Sequence, residues 1–297
     1  MAKQKLLPTA VACHLLSLSI TLFAQNITPS NTRPMTAPAS VPDTSSALGQ
    51  GAYDFAICLT LNFIVGIDRG DPVTILSGAH AGCFELFANE SVRGITDLKG
   101  KSVGTYVGPE LPQAIASYVG LDPKKDFTLV VNDNSANGIE MFAQGKLDAY
   151  LALPPEPQEL HARHVGHVIL RTAVDEPWSQ YFCCVIAGNR DYVQKHPVAT
   201  KRVIRALLKN NDLCIDEPER TARRLVEKGF AENYDFALQT LNENPYRQWR
   251  DYDTEDSVRF YALRLRDIGM IKNNPKQIIA EGTNSRFFNE LKHELKA

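Results

Sequence analysis

The stretch WSQYFCCVIAG, residues 178–188, is apolar on both parities and carries two adjacent cysteines. A strand covered on both faces reads this way, whereas a strand with one wet face alternates. Successive side chains of a strand point to opposite faces. Cys183 and Cys184 are therefore expected on opposite sides of a sheet, unable to share one metal ion without a bulge. A disulfide between them is disfavoured, because adjacent α-carbons lie about 3.8 Å apart and relaxed bridges need roughly 4.4–6.8 Å. The pair reads as filler in a buried strand, since a cysteine outside any bridge packs as a small hydrophobe.

Outward from this strand, the chain is ordered. Upstream, strand-like runs cover 53–59, 72–79, 83–89, 101–108, 127–132, 148–153 and 167–172, with helices predicted over 109–119, 135–145 and 155–165. Ser135 is read as an N-cap and Gly145 as a stop. Strands alternating with helices imply crossover connections and a mostly parallel sheet. Downstream of Gly188 only helices are predicted. Pro197 and Pro218 open two of them, Gly229 ends the second, and Asp253 or Thr254 caps a long one ending at Gly269. A tail without strands has to pack on a sheet already formed.

With 297 residues and 44% hydrophobic content, the chain can bury a large core in one or two lobes. A net charge of -2 leaves no footprint for nucleic acid. The densest basic run, 200–209, sets Lys201, Arg205 and Lys209 on one helical stripe opposite Val203, Ile204 and Leu207, which reads as a solvated face. At the N-terminus, Lys3 and Lys5 precede an apolar stretch strongest over 15–24, interrupted by Pro8, His14, Ser17, Ser19 and Thr21. Residues 1–25 therefore read as a signal-like segment rather than a spanning helix, and 26–46, rich in Pro, Ser and Thr, as a disordered linker. Export to the periplasm is expected.

Motif chemistry is sparse. Cys13, Cys58, Cys83 and Cys214 show no C-x-x-C spacing. His80 and Cys83 are spaced like half a metal loop, but two donors do not make a site. His161, His164 and His167 diverge around a helix and read as surface residues. G-x-S-x-G, P-loop, G-x-G-x-x-G and H-E-x-x-H motifs are absent from the sequence. Near Asp148, Glu156 and Glu159 fit a helix N-terminus at least as well as a general acid–base pair. No catalytic residue, metal site or cofactor is expected.

Seven blocks nevertheless occur in one order: DRGDPVTILSGAHAGCFELFA, DLKGKSVG, YVGLDPKKDF, GKLDAYLALPPEPQEL, PWSQYFCCVIAGN, HPVATKRVIRALLKNNDLC and YDTEDSVRFYALRLRDIGMI. Over 47–297 they resemble the nitrate/sulfonate/taurine-type solute-binding proteins of ABC transporters, which share a domain with the fungal thiamine-pyrimidine synthases. The resemblance implies an α/β type II periplasmic-binding-protein fold, with two α/β lobes, two crossing segments and a cleft between them. Lobe I would hold 47–102 and 186–297 and lobe II 103–185, with SVGTYVG and WSQYFCCVIAG as the crossings. The family's opening strand–helix–strand has no counterpart here, because the signal-like segment and polar linker take its place. The chain thus reads as an N-terminally shortened member, with the first β-α unit of lobe I missing and a strand edge exposed.

Recognition in such a fold comes from loops at the C-terminal ends of strands, at the lobe interface. The implied ligand residues are Thr60 and Asn62 after 53–59, and His80, Gly82 and Cys83 after 72–79. Thr105, Tyr106 and Gly108 lead into a helix whose amides suit an anion. Pro154, Pro155 and Glu156 follow 148–153, and Trp178 and Tyr181 are placed to stack on a planar ligand. Glu110, in a first helical turn, opposes a strongly anionic ligand. The implied function is capture of a small solute (a sulfonate, nitrate, bicarbonate or thiamine precursor) by a monomer that delivers it to a membrane permease, without catalysis or cofactor. Two alternatives stand beside it. One is a synthase like the fungal enzymes, against which YFCC offers two cysteines where those carry a denser run, and the region of their N-terminal lysine and histidine is lacking. The other is a non-binding remnant.

Overall fold

The computed structural model describes residues 43–132 and 134–295, so the signal-like segment and most of the linker lie outside the described residues. The end of the linker is a correction. Asp43 caps helix α1 (Thr44–Gly49), its carboxylate accepting from the Ser46 amide at 3.0 Å. An Asp before small polar residues suits an N-cap as well as a coil. Ser45 is buried against Gly66, where a Cβ would sit 1.8 Å from its Oγ.

Eight strands among the described residues form two sheets. β1 (Phe55–Leu59), β2 (Val73–Ala81) and β8 (Phe182–Asn189) make the first, in the order β1-β8-β2, with β8 antiparallel to both neighbours. β3 (Glu85–Ala88), β4 (Ser102–Thr105), β5 (Thr128–Val131), β6 (Ala149–Ala152) and β7 (His167–Arg171) make the second, in the order β5-β4-β6-β3-β7. There β4 runs parallel to β5 and β6, while β3 runs against β6 and β7. The expected mostly parallel sheet is thus limited to three strands. The reason is topological. From β2 to β3 and from β7 to β8 the chain passes directly between sheets without a helical crossover, so β3 and β8 arrive reversed, while β7 keeps the direction of β6.

Sheet membership also moves the lobe boundary. β3 was expected in lobe I, yet Leu86 pairs with Leu151 and Phe87 with Tyr150 in the second sheet. The first passage is therefore residues 82–84, not SVGTYVG, which holds β4 inside the second sheet. The second passage is residues 172–181, so only the first part of WSQYFCCVIAG crosses, and the rest lies in β8 inside the first sheet. The two passages lie side by side. The Thr172 amide donates to the Phe84 carbonyl at 2.9 Å, and the Phe84 amide donates to Thr172 Oγ1 at 2.8 Å. β8 is buried along seven of its eight residues, as its two-sided apolar run requires. Among the described residues β1 pairs with β8 alone, so its other edge has no described neighbour.

Helix α2 (Thr60–Arg69) follows β1 without a loop and was not predicted. Its buried Leu61, Phe63, Ile64 and Ile67 keep helical spacing, and Gly70 closes it at φ 99°. On the second sheet lie α4 (Ser135–Ala143) and α5 (Glu156–Ala162), while α3 (Glu110–Tyr118), which follows β4, packs against α2 and the tail helix Thr254–Asp267. Asn134 rather than Ser135 caps α4, accepting from the Asn137 amide at 2.9 Å.

The tail is helical as predicted: α6 (Arg190–Lys195), α7 (Pro197–Asp216), α8 (Pro218–Glu227), α9 (Tyr234–Glu243), α10 (Thr254–Asp267), α11 (Pro275–Gly282) and α12 (Arg286–Leu295). Asp253 caps α10. The tail bonds directly to the first sheet. Asn211 donates to the Ala79 carbonyl at 2.7 Å, Thr254 Oγ1 accepts from the Gly78 amide at 3.0 Å, and Ser257 Oγ accepts from Phe182 at 3.0 Å. Lys201 and Arg205 of the basic stripe pair with Glu290 and Glu294 of α12, which neutralises much of it. Among the described residues no helix is long and apolar enough to cross a membrane.

Gly82 tests the passage geometry, because a Cβ there would lie 2.0 Å from the Thr172 carbonyl oxygen. Backbone at that distance cannot step aside, so Gly82→Ala is expected to destabilise by about 2–3 kcal/mol. Gly94→Ala, with nothing within 4 Å of the added methyl, is expected to change stability by under about 0.5 kcal/mol. Urea midpoints of the two variants check the contrast.

Candidate functional site

Strand direction decides which loops meet. In the second sheet β4, β5 and β6 are parallel, so Thr105, Val131 and Ala152 end on one edge. That edge also carries Glu85 at the start of β3, opposite Ala152 and Arg171. It is the edge from which both passages leave. In the first sheet Leu59 of β1 and His80 of β2 both pair with Cys184 near the start of β8, so the same rule applies. The two edges face each other across the passages, and the loops beyond them form the candidate cleft.

From the first sheet come Thr60 and Asn62. Both were expected in a loop, and both lie in the first turn of α2. Thr60 Oγ1 donates to the Phe182 carbonyl at 2.7 Å and lies 3.1 Å from that of Cys183, which fastens α2 to β8. No side chain caps α2 and its first turn holds no acidic residue. Asn62 Oδ1 is buried there without a hydrogen-bond partner. A buried acceptor left unsatisfied costs about 1–3 kcal/mol, which a bound donor would recover.

From the second sheet come Thr105, Tyr106, Gly108, Pro154, Pro155 and Glu156. Thr105 is fully buried, and its carbonyl accepts the Asn132 amide at 2.7 Å and Asn132 Nδ2 at 3.3 Å. Gly108 sits at φ 110°, and a Cβ there would lie 2.5 Å from Glu110 Oε2. The Glu110 carboxyl thus folds back over its own amide at the start of α3, and burial raises its pKa. It takes up one of the amides that an anion was expected to use. Pro154–Pro155 is a cis peptide leading into α5. Glu156, 1% exposed, accepts from Tyr150 Oη and from the Leu153 amide, both at 2.7 Å, and bonds to Ser135. Burial pushes its carboxyl up to about 7. Tyr150 and Asn132 were not singled out in the sequence, and Ser135 only as an N-cap.

Between the edges lie His80, Gly82 and Cys83 on the first passage side and Cys183 and Cys184 on the second. Gly82 serves the contact with Thr172. His80 Nδ1 donates to the Ala81 carbonyl at 2.8 Å, Nε2 is buried without a partner, and desolvation lowers the ring pKa to about 4. Cys83 Sγ and Cys183 Sγ are 3.5 Å apart, and Cys183 Sγ and Cys184 Sγ 3.7 Å. The expectation that neighbouring cysteines point apart fails here. β2 is bulged between Gly78 and His80 and again before Ala81, directly opposite Cys184, and a bulge twists the ladder out of its regular pleat. Trp178 and Tyr181 do not reach the cleft as stacking platforms. Trp178, 2% exposed, packs against Phe260 at 5.5 Å and Tyr118 at 5.8 Å, and Tyr181 stacks on Phe260 at 4.0 Å. They anchor the second passage to α10 and α3.

The family model described as NMT1/THI5 like matches residues 35–221. The chain belongs to this family. Its fold is the periplasmic-binding-protein fold. The alkanesulfonate-binding protein SsuA from Xanthomonas axonopodis pv. citri, bound to MOPS, superposes with TM-score 0.73 at 16% identity, over 93% of this chain and 95% of that one. The periplasmic nitrate-binding protein NrtA from Synechocystis PCC 6803 gives 0.75 at 15% identity, over 97% and 87%. The periplasmic aliphatic sulphonate-binding protein SsuA from Escherichia coli gives 0.72 at 16%, over 90% and 88%. At these identities the likeness speaks for the fold alone. No curated protein matches the sequence.

Glu156 gives a pH test. Its folded pKa lies above the ordinary value of 4.5, so the unfolded chain releases the proton first as pH rises. Stability from this group is full below about pH 4.5 and is lost between about 4.5 and 7, by up to roughly 3 kcal/mol. Unfolding in urea at pH 5 and pH 8 is expected to show a smaller drop for Glu156→Gln than for the native chain.

Proposed function

We propose that this chain is the solute-binding component of an ABC importer, which captures one small polar solute between the facing sheet edges and presents it to a membrane permease. It acts without catalysis, as an exported monomer in the periplasm. One lobe is the β1-β8-β2 sheet with α1, α2 and the helical tail, and the other is the five-stranded sheet with α4 and α5. The observation that carries this reading is the paired passages, which join two sheets whose loop-bearing edges oppose each other. A rotation about them opens and closes the cleft.

The side chains narrow the solute within the sulfonate, nitrate, bicarbonate and thiamine-precursor range. Glu110 covers the start of α3, whereas α2 starts at the cleft with no side-chain cap and no acidic residue in its first turn, open to an anionic group. Asn62 Oδ1 beside it accepts a donor from the same solute. Across the cleft, Tyr106 and Glu156 complete the enclosure.

Calorimetry against that panel is expected to give one saturable site, with a fall in radius of gyration on binding. Asn62→Ala should weaken the Kd roughly ten- to thirtyfold, the loss of one buried hydrogen bond, with the melting temperature retained. Silence across the panel from a folded sample would remove the solute reading.

A further inference from the structure

His80, Cys83, Cys183 and Cys184 are all buried, and their ligating atoms all lie within 4.8 Å of one another. Cys183 Sγ is the hub, 3.5 Å from Cys83 Sγ, 3.7 Å from Cys184 Sγ and 3.7 Å from His80 Nδ1. A tetrahedral zinc ion with bonds of about 2.3 Å to sulfur and 2.0–2.1 Å to nitrogen holds its sulfurs roughly 3.8 Å apart and sulfur from nitrogen roughly 3.6 Å. The three hub distances match that polyhedron, and ligation through Nδ1 exchanges its bond to the Ala81 carbonyl for the ion, with the ring proton carried on Nε2. Thiol filler explains three apolar side chains but not the imidazole among them, whose Nε2 is buried without a partner. Three thiolates and one imidazole are a donor set suited to a soft ion.

We propose that these four residues bind one thiophilic divalent cation of the zinc class. His80 and Cys83 flank the entry to the first passage, and Cys183 and Cys184 follow the second, so the ion joins the two passages. Four protein donors fill a tetrahedral shell and leave no open position, which makes the role structural and not catalytic. Binding releases the thiol protons and adds its free energy to folding. The occupied site fixes the pivot about which the sheets move. It sits beside the passages between the sheet edges and uses neither Asn62 nor the amides of α2, so neither reading depends on the other.

The test uses the full-length protein, reduced and with its thiols counted, titrated with cobalt(II) both after purification and during refolding. One cobalt per chain is expected, with the visible d–d bands of tetrahedral thiolate coordination, bleached by one equivalent of zinc. Cys83→Ala and Cys183→Ala are expected to lose those bands while keeping the native far-ultraviolet circular dichroism. Zinc should raise the melting temperature of the native chain, a chelator should reverse the rise, and Cys83→Ala should show neither change. If either variant fails to fold, the zinc and chelator arms on the native chain decide. A folded, reduced chain that takes up no cobalt by either route, or bands unchanged in Cys183→Ala, would overturn the site.

Discussion

The closeness of the two chain passages is the constraint on which the rest of the molecule rests. Thr172 and Phe84 exchange backbone and side-chain hydrogen bonds within 3.1 Å, and the absent side chain of Gly82 permits the approach. That contact starts the β3–β7 ladder and so fixes the register of the second sheet. A slip by one residue would turn Leu86 and Leu170 away from the core. It also delivers the chain to β8, the central strand of the first sheet. Both sheets are therefore tied to one short piece of backbone.

The helical tail completes the arrangement instead of forming a unit of its own. Where β2 is bulged, its backbone cannot satisfy every amide within the ladder. α10 supplies what is missing, with Thr254 accepting from Gly78 and Ser257 from Phe182. Trp178 and Tyr181 press the second passage onto the same helix through Phe260. The residues that would have made a stacking platform for a planar ligand are spent on holding the hinge. The uncapped start of α2 and the partnerless Asn62 carboxamide are left at the sheet edges.

Much of this was legible in the chain. Every upstream strand came from an apolar run with turn residues on its flanks, and the tail helices came from Pro197, Pro218 and the Asp253 cap. What escaped was non-local. CFELFAN reads alike in either sheet, and only its partners Leu151 and Tyr150 place β3 in the second. α2 escaped because it follows β1 with no turn residue between them. In the site, Tyr150 sat inside the apolar run DAYLAL, and its link to Glu156 spans six residues, a separation that neither helical nor strand periodicity marks. Thr60 and Asn62 were found by position, although as the start of a helix and not as a loop.

The adjacent cysteines show where periodicity stops being informative. Alternation of side chains is a property of a regular ladder, and it holds along β1 and β8 where Phe55 through Leu59 pair in unbroken register. Cys183 and Cys184 lie at the other end of that regularity, facing the bulges of β2, and there their sulfurs converge to 3.7 Å. The direction of a side chain at a strand terminus is thus set by the neighbouring strand as much as by its own. The readable sign was compositional: H-x-x-C and C-C, two pairs of soft donors, each beside a passage between the sheets. Once the passages are forced together by Gly82 and Thr172, the donor pairs have to meet.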